Sequence, residues 1–504
     1  MTDREHTGDG TTDPTSDGSV VRGERFRGGP ARSFLSSLAA DDRIFAADLA
    51  VDRAHVVMLD EQGIVDSDVA AAILDALAAV EDAGHDALPD GEDVHEAIES
   101  AVVDRVGPDG GRMHTARSRN DEVATCIRHR LRTDLLDAAA ATVELRSSLC
   151  EVAETHTETV MPGYTHLQPA QPTTVAHWAL SYEAAVARDT ARTLAAFDHT
   201  NQSPLGGAAF AGTTFDVDRD RVADLLGFDR VVRNAADAAA GRDFLVEATA
   251  ALATHATTLS GLAADTLLFA NRGLLTPADD YASTSSIMPQ KVNPDTLELV
   301  RATAGDAIGE LTGLFTTLKG LPRAYNRDLQ RATPHAWDAV DAVSEATAVA
   351  AGAVATASWD AEALAAAAGE GFSTATGVAD ALAQAGIPFR VAHEAVAAAA
   401  ADAERALDSS DPEAAVDAID TATESVLGEP ATAHVDREQL RAVLDPAASV
   451  AARDSAGGPA PAATETELVD ARASIRADET GLSDRRTGLE AAAEALAAEV
   501  ADRV

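Results

Sequence analysis

A stretch of 38 residues without proline or glycine, from Glu122 to Thr159, limits most strongly what this chain can fold into. Apolar residues recur through it at helical spacing, so it predicts one helix of about 57 Å at 1.5 Å per residue. Segments 174–200, 243–271 and 295–319 have the same character, and the alternation typical of strands is nearly absent. Helices of this length exceed what a single globular core needs. The sequence therefore predicts an all-α, three-part elongated protein whose central bundle of long helices is shared between subunits.

Two glycine-rich breaks, GPDGGR at 107–112 and GEGFSTATG at 369–377, give the predicted domain borders. Residues 1–20 are polar and lack both a basic and an apolar segment, which predicts a disordered leader rather than a signal peptide. Beyond that leader we expect an N-terminal helical domain over 21–116, a central helical bundle over 117–368 and a C-terminal helical domain over 369–504.

Acidic residues dominate the charge of the chain. The 83 acidic and 39 basic residues give a net charge of −44, which disfavours nucleic acid and anionic membranes as partners. The chain has no run of about 18 apolar residues, which would predict a membrane span. Its two cysteines, Cys126 and Cys150, fit a reducing cytoplasm. Only two basic residues are lysine, Lys291 and Lys319. Strong acidity favours a salt-loving organism, with GC-rich coding as the alternative explanation for the scarcity of lysine.

Three polar segments interrupt the helical pattern. The first, MHTARSRNDE at 113–122, places two arginines before the long helix. Free N–H groups at a helix N-terminus and arginine forks suit a carboxylate-bearing substrate, whereas the alternative is a helix cap with solvated charges. The second, MPGYTHLQPAQPTT at 161–174, is loop-like and surrounds His166 with groups that can orient its ring. A catalytic and a structural role for this histidine both remain open.

The third polar segment, YASTSSIMPQKVNPD at 281–295, joins a hydroxyl cluster to one of the two lysines. Pro289 and Pro294 block helix on either side of Lys291, which predicts a mobile loop beside an active site. An ordinary serine-rich loop is the alternative. Lys291 favours the functional interpretation, because a compact ammonium group can stabilise a developing carbanion.

Taken together, these segments resemble the fumarase/aspartase superfamily and, within it, the argininosuccinate lyase family. The similarity covers about residues 22–476 and includes Gln290, where fumarases usually carry glycine and adenylosuccinate lyases histidine. Adenylosuccinate lyase, a fumarase-type lyase and a catalytically dead structural protein like the lens crystallins of this family are the alternatives. The motifs that carry the resemblance are HTARSRND at 114–121, GYTHLQPAQP at 163–172, SSIMPQKVNPD at 285–295 and AYNRDLQ at 324–330.

The resemblance implies a β-elimination that cleaves argininosuccinate to L-arginine and fumarate, the last step of arginine biosynthesis. No metal and no organic cofactor is implied. A base removes the Cβ proton of the succinyl part, the charge moves into the adjacent carboxylate as an aci-dianion, and an acid assists the leaving nitrogen. The resemblance also implies a cytoplasmic homotetramer with active sites composed from different subunits.

Residue by residue, the resemblance implies that His166 and Ser285 form the acid–base pair, with their order left open. Lys291 holds the developing charge, and Glu298 is the carboxylate partner of the histidine. His95 is a weaker candidate for a supporting role. The substrate-binding positions implied are Ser37, Ser118, Arg119, Asn120, Thr165, Asn293, Tyr325 and Gln330.

Two positions depart from the family pattern. Thr284 stands where the loop usually carries glycine, so the hinge of the loop is expected to be stiffer. Thr333 stands where the family usually has a substrate-binding lysine. Arg331 and Arg323 are candidates to replace that lysine, and loss of the contact is the alternative.

Overall fold

A computed structural model of the protein describes residues 30–402 and 412–504, and the predicted leader over 1–20 lies outside them. The described residues form long helices with a few short strands. The helices are α1 Pro30–Leu35, α2 Asp42–Glu61, α3 Ser67–Ala83, α4 Val94–Val106, α5 Arg119–Thr155, α6 Val175–Thr200, α7 Arg219–Leu225, α8 Ala235–Ala240, α9 Asp243–Asn271, α10 Asp295–Leu318, α11 Leu329–Thr356, α12 Ala361–Ala368, α13 Ala375–Gln384, α14 Phe389–Asp402, α15 Pro412–Leu427, α16 Arg437–Leu444, α17 Pro446–Ala451 and α18 Pro461–Ala501. The strands are β1 Val160–Thr165, β2 Gln168–Thr174, β3 Gln202–Ser203, β4 Arg230–Val231, β5 Leu275–Thr276, β6 Ser283–Thr284, β7 Val292–Asn293 and β8 Ser358–Trp359.

Five long helices form the central bundle and confirm the predicted all-α class. Helix α5 packs against α6 and α11, while α9 packs against α6, α10 and α11. Ser118 begins α5 with a capping box, since its side chain accepts a backbone hydrogen bond and Asp121 accepts one from the backbone of Ser118. Helix α5 then runs for 37 residues, close to the predicted length, and α9 has the predicted bounds.

The short strands pair two by two, and the largest pair was not predicted. Segment 161–174, predicted as a loop, forms an antiparallel hairpin of β1 and β2. Its three prolines disfavour a strand by propensity, and the other pairs have only two residues per strand, too few for periodicity to be visible.

Hydrophobic packing divides the chain into two cores. The main core contains residues from 44–364 together with 468–496, whereas residues 378–444 form a smaller separate core. Helix α18 therefore returns to the central bundle, where the buried Arg146 binds Glu183 at 2.8 Å and Asp478 at 2.5 Å. The domain borders taken from the glycine breaks remain a prediction.

Within the described residues, one helix is long and apolar enough to cross a membrane, namely α11. Half of the apolar window in this helix is buried in the protein, and α11 packs against α5, α9 and α10. This packing is that of a core helix.

The net charge of −44 predicts a strong dependence of stability on salt. Self-repulsion destabilises the folded state, and the Debye length falls from about 10 Å at 0.1 M to about 3 Å at 1 M salt. We expect the melting temperature to rise by roughly 10 °C or more between 0.1 M and 2 M KCl. Differential scanning calorimetry measures this, with sucrose of equal osmolality as the uncharged control. A melting temperature unchanged by KCl would contradict the electrostatic interpretation. GC-rich coding would then be the remaining explanation for the scarcity of lysine.

Candidate active site

A cavity of about 240 Å³ lies where α5 and α9 begin and where the connection from α10 to α11 passes. Its wall contains both carboxylates and arginines. Five of the predicted substrate-binding residues meet there although they are far apart in sequence: Ser37, Arg119, Asn120, Tyr325 and Gln330.

Hydrogen bonds hold the polar groups of this pocket in place. The Ser37 hydroxyl donates to Asp41 at 2.8 Å, and the same carboxylate accepts the backbone N–H of Val94 at 3.2 Å. The side-chain amide of Asn120 donates to a backbone carbonyl at 3.0 Å, and that of Gln330 does so at 3.1 Å. The wall is therefore organised without a ligand, as a binding site for a polar molecule requires.

A buried ionic cluster supports one side of the pocket. The guanidinium of Arg117 lies 2.5 Å from Asp52 and 2.9 Å from Glu122. His95, which also lines the pocket, lies 2.7 Å from Asp48. Burial would lower the pKa of His95, but the charges of Asp48 and Glu122 outweigh it and raise that pKa to about 10. His95 is therefore held in the charged form.

Three carboxylates face two cations in this cluster, so an electrically neutral cluster holds one extra proton. Glu122 and Asp52 each have a buried oxygen without a hydrogen-bond partner within the described residues, and burial raises the pKa of Asp52 to about 7. Burial raises the pKa of Glu122 to about 8. Asp52 lies directly against Arg117 and is better placed to remain charged.

The buried cluster predicts that the protein becomes less stable as the pH rises. The pKa of His95 rises from 6.5 to about 10 on folding and that of Glu122 from 4.5 to about 8. Between pH 6.5 and 8 these two groups bind more protons in the folded state than in the unfolded state, so they favour unfolding as pH increases, by up to about 1.4 kcal/mol per pH unit for each proton. His55, His114 and His129, whose pKa burial lowers to about 3, have the opposite effect, which fades as the pH rises above 6.5.

Thermal unfolding from pH 6.5 to 9 in 2 M KCl tests this slope. In Glu122→Gln, an isosteric neutral variant, we expect a shallower slope below pH 8, where Glu122 no longer contributes. A melting temperature that increases between pH 7.5 and 8, or a slope below pH 8 that is the same in Glu122→Gln as in the unmodified protein, would contradict the proposed charge states.

His166 occupies the turn of the β1–β2 hairpin. Thr165 pairs with Gln168, so His166 and Leu167 are the two turn residues, and both have positive φ, 55° and 60°. This is the turn type that suits a two-residue hairpin, although non-glycine residues adopt it at a cost. The turn and the neighbouring Thr165 are exposed to solvent. The fold thus presents His166 at the exposed tip of a two-stranded hairpin.

Gly163 allows the two strands of this hairpin to lie close to each other. A Cβ atom at this position would lie 2.4 Å from the carbonyl oxygen of Gln171. Any larger residue would therefore push β1 away from β2 and move the turn that carries His166.

Ser285 and Lys291 lie on the loop that joins the paired strands β6 and β7, before α10. Strand β6 pairs with β7, and the backbone N–H of Ser285 donates to the carbonyl of Lys291 at 3.2 Å. The Ser285 hydroxyl accepts the N–H of Met288 at 3.1 Å. The tip is exposed and apolar, with Ile287 at 84 % exposure. Such a tip is suited to closing against another surface.

The remaining predicted residues lie away from the pocket wall. Ser118 caps α5, and its hydroxyl accepts the N–H of Asn120 at 3.3 Å. Asn293 pairs with Ser283 in the β6–β7 ladder, and Glu298 is exposed in the first turn of α10.

Within one chain, the pocket lies at the opposite end of the bundle from the residues predicted to catalyse the elimination. Arg242 lines the pocket and precedes α9, whereas Arg272 follows α9 and contacts the hairpin, 3.4 Å from the carbonyl of Leu167. Helix α9 has 29 residues and spans about 43 Å. In the same way, the Ser285 loop precedes α10 and Tyr325 of the pocket follows it. A single copy therefore cannot bring all predicted site residues together.

Comparison with known proteins agrees with the motifs. Residues 37–309 match a lyase family model and residues 372–451 match a model of the argininosuccinate lyase C-terminal region. An argininosuccinate lyase of Halobacterium salinarum is 67% identical over 485 residues, 96% of this chain and 99% of that protein. One of Haloarcula marismortui is 64% identical over 484 residues, 96% of each chain. The chain belongs to the argininosuccinate lyase family.

The fold of this family member also matches solved structures. A crystal structure of an EDDS lyase in complex with formate has a TM-score of 0.83 at 32% identity, covering 94% of this chain and 96% of that one. The predicted family and the predicted all-α class are thus confirmed. The haloarchaeal relatives agree with the salt-loving origin that the acidity predicts.

Within one chain, neither candidate takes the place of the family lysine that Thr333 replaces, which favours the other expectation, loss of the contact. Thr333 lines the pocket, but neither candidate replacement does. Arg323 is exposed and pairs with Asp237 at 3.0 Å, and Arg331 is exposed on α11. For Arg331 the reason is helical geometry, since residues two apart on α11 point in directions about 200° apart.

Several charged pocket residues were missed from the sequence. Only the fold reveals their place in the pocket, although Arg327 lies inside the motif at 324–330. They are Asp41, Glu92, Asp93, Arg242 and Arg327.

Proposed function

We propose that this protein cleaves argininosuccinate by β-elimination to L-arginine and fumarate. The observation that carries the proposal is the mixed charge of the pocket, whose wall holds Asp41 and Asp93 beside Arg119 and Arg242. Argininosuccinate carries carboxylates together with an ammonium and a guanidinium group, and a wall of both signs complements it. Malate is a small dianion, and adenylosuccinate adds a phosphate, so both would meet uncompensated carboxylates. The pocket therefore favours argininosuccinate over these alternatives.

The roles of the elimination residues follow from their chemistry. His166 and Ser285 act as the acid–base pair, one removing the Cβ proton and the other protonating the leaving nitrogen. Lys291 stabilises the aci-dianion as a point charge, and Glu298 orients and charges the histidine. Thr165 and Asn293 lie beside these residues in the chain and hold the succinyl carboxylates. The cationic and hydroxyl groups among these residues suit the anionic, reacting end of the substrate.

We also propose that the active site is assembled from several copies in a cytoplasmic homotetramer. The 43 Å or so between the pocket and the hairpin in one chain motivates this arrangement. Ile308 and Phe315 on α10 are each about half exposed and lie seven residues apart, on one face of a central helix. An apolar outward face in the middle of a bundle is typical of a subunit interface.

A substrate panel tests the proposed activity. Argininosuccinate, adenylosuccinate, malate and aspartate are supplied in 2 M KCl, and fumarate is followed by its ultraviolet absorbance. We expect fumarate from argininosuccinate alone, with L-arginine formed in equal amount. Fumarate from adenylosuccinate or malate would favour another lyase of this scaffold, and no fumarate from any substrate would favour a structural protein.

A further inference from the structure

Three buried side chains with metal-ligating atoms meet inside the protein, and the proposed elimination uses none of them. They are Asp48 on α2, His95 on α4 and Cys126 on α5. Nδ1 of His95 lies 2.7 Å from one oxygen of Asp48, and the Cys126 thiol donates to the other oxygen at 3.3 Å. All three ligating atoms lie within 4.8 Å of one another. We call these three side chains the His–Cys cluster.

Glu122 offers a fourth ligand from the same face of α5. It precedes Cys126 by four residues, about one helical turn, and its Oε1 lies 3.8 Å from Nδ1 of His95. Its other oxygen, Oε2, is buried and accepts no hydrogen bond within the part of the chain that the structure describes. Such an oxygen costs free energy that either a proton or a metal ion recovers.

The spacing of these atoms fits a zinc ion. Zn²⁺ takes four ligands at about 2.0 Å for nitrogen and oxygen and about 2.3 Å for sulfur, which places neighbouring ligand atoms about 3–4 Å apart. In the His–Cys cluster the closest pair lies at 2.7 Å and every pair lies within 4.8 Å. Shifts of about 1 Å therefore suffice to close the ligands around an ion. Mg²⁺ and Ca²⁺ prefer oxygen ligands alone, so the histidine and the cysteine select against them.

Metal binding would exchange protons for the ion without changing the charge of the His–Cys cluster. The His95 imidazolium and the Cys126 thiol each direct a proton at Asp48. Both protons leave to solvent, the nitrogen lone pair and the thiolate bind the ion, and two positive charges replace two. Burial and the nearby carboxylates raise the pKa of the Cys126 thiol, so it stays protonated without a metal ion. The pH dependence expected above is that of the metal-free protein.

The pocket described above gives an ion access to the cluster. His95 lines the pocket wall, whereas Asp48 and Cys126 are fully buried and are not part of that wall. We propose that the protein binds one Zn²⁺ ion per chain through the side chains of Asp48, His95, Cys126 and Glu122. This metal site goes beyond the proposed function, because the residues assigned to the elimination are not among its ligands.

Cobalt absorption tests the proposal, because Co²⁺ binds where Zn²⁺ binds and its spectrum reports its ligands. The chelator-treated protein is titrated with CoCl₂ in 2 M KCl at pH 8. We expect one Co²⁺ per chain, a thiolate-to-cobalt charge-transfer band in the near ultraviolet and the strong visible bands of four-coordinate Co²⁺. Zn²⁺ should remove this spectrum, whereas excess Mg²⁺ should not. Weak visible absorption without the charge-transfer band, as expected for six-coordinate Co²⁺ on surface carboxylates, would overturn the proposal.

Cys126→Ser removes the thiolate but keeps a hydroxyl that can donate to Asp48. We expect this variant to lose the charge-transfer band and to bind Co²⁺ roughly 100-fold more weakly. Cys150→Ser is the matched control, since Cys150 is also buried in α5 but lies outside the His–Cys cluster. It should keep the full spectrum. A charge-transfer band that persists in Cys126→Ser would overturn the proposal.

The control variant also decides the question if Cys126→Ser does not fold. The chain has only two cysteines, so a charge-transfer band that persists in Cys150→Ser can come only from Cys126. Loss of the band in Cys150→Ser would assign the thiolate to Cys150 and overturn the proposal. Absence of fumarate release both with and without added metal would overturn the proposed function and would leave the cobalt spectrum as an independent result.

Discussion

Replacing Lys291 by arginine is expected to lower kcat roughly 100- to 1000-fold without changing the melting temperature. Lys291 is exposed on the β6–β7 loop and has no ion pair among the residues that the structure describes, so the fold does not depend on it. The chain uses arginine at 37 of its 39 basic positions and keeps lysine here. A planar guanidinium is larger than an ammonium and cannot act as the same compact point charge against a developing dianion.

Lys319→Arg provides the matched control for Lys291→Arg. Lys319 is the other lysine of the chain, exposed where α10 ends and outside the pocket wall. Its replacement should leave kcat unchanged. Near-normal turnover in Lys291→Arg, measured by fumarate release at saturating argininosuccinate, would contradict the assigned role of Lys291.

Periodicity predicted the long helices because each helix buries one apolar face, and the residues of that face recur at helical spacing in the sequence. Helix α9 has the predicted bounds of 243–271, and the helix predicted from Glu122 begins three residues earlier, at Arg119, because Ser118 caps it. The hairpin that carries His166 was missed, since its prolines resemble loop chemistry. A strand pair is held by backbone bonds between segments and leaves little local pattern.

The site could be predicted only where chemistry is concentrated in short motifs. Segment 281–295 was recognised from its serines and its lysine. In the structure it forms the paired strands β6 and β7 and the exposed loop between them. Arg242 lies outside the quoted motifs, and Asp41 follows the predicted Ser37 by four residues without a pattern that sets it apart from the neighbouring Asp42. Their role emerges only because three helix ends meet around one cavity. A sequence pattern does not show which single charged residues the fold will bring together.

The second large effect is expected from mixing two inactive variants. Asn120→Leu removes an amide from the pocket wall, and Ser285→Ala removes the hydroxyl from the loop at the other end of the bundle. If one active site takes its pocket from one chain and its loop from another, each lesion can be complemented by the other variant. Random mixing in equal amounts leaves roughly a quarter of the sites with both residues native, because each comes independently from one of two pools.

Controls for this experiment come from the same loop. Ser285→Ala mixed with Lys291→Met places both lesions on one segment of the chain, and no combination of subunits then restores a loop. This pair should recover no activity even when its subunits exchange as fully. Each variant taken alone through the same low-salt dissociation and high-salt reassociation gives the background.

Recovered fumarate release after exchange of Asn120→Leu with Ser285→Ala subunits is the most direct test of a site assembled from several copies. Exchange is confirmed by native mass spectrometry of subunits that differ in isotope label. The arrangement of pocket and loop at opposite ends of α9 predicts about one quarter of wild-type activity. Activity no higher than the single-variant background, with complete exchange demonstrated, would contradict the composite site.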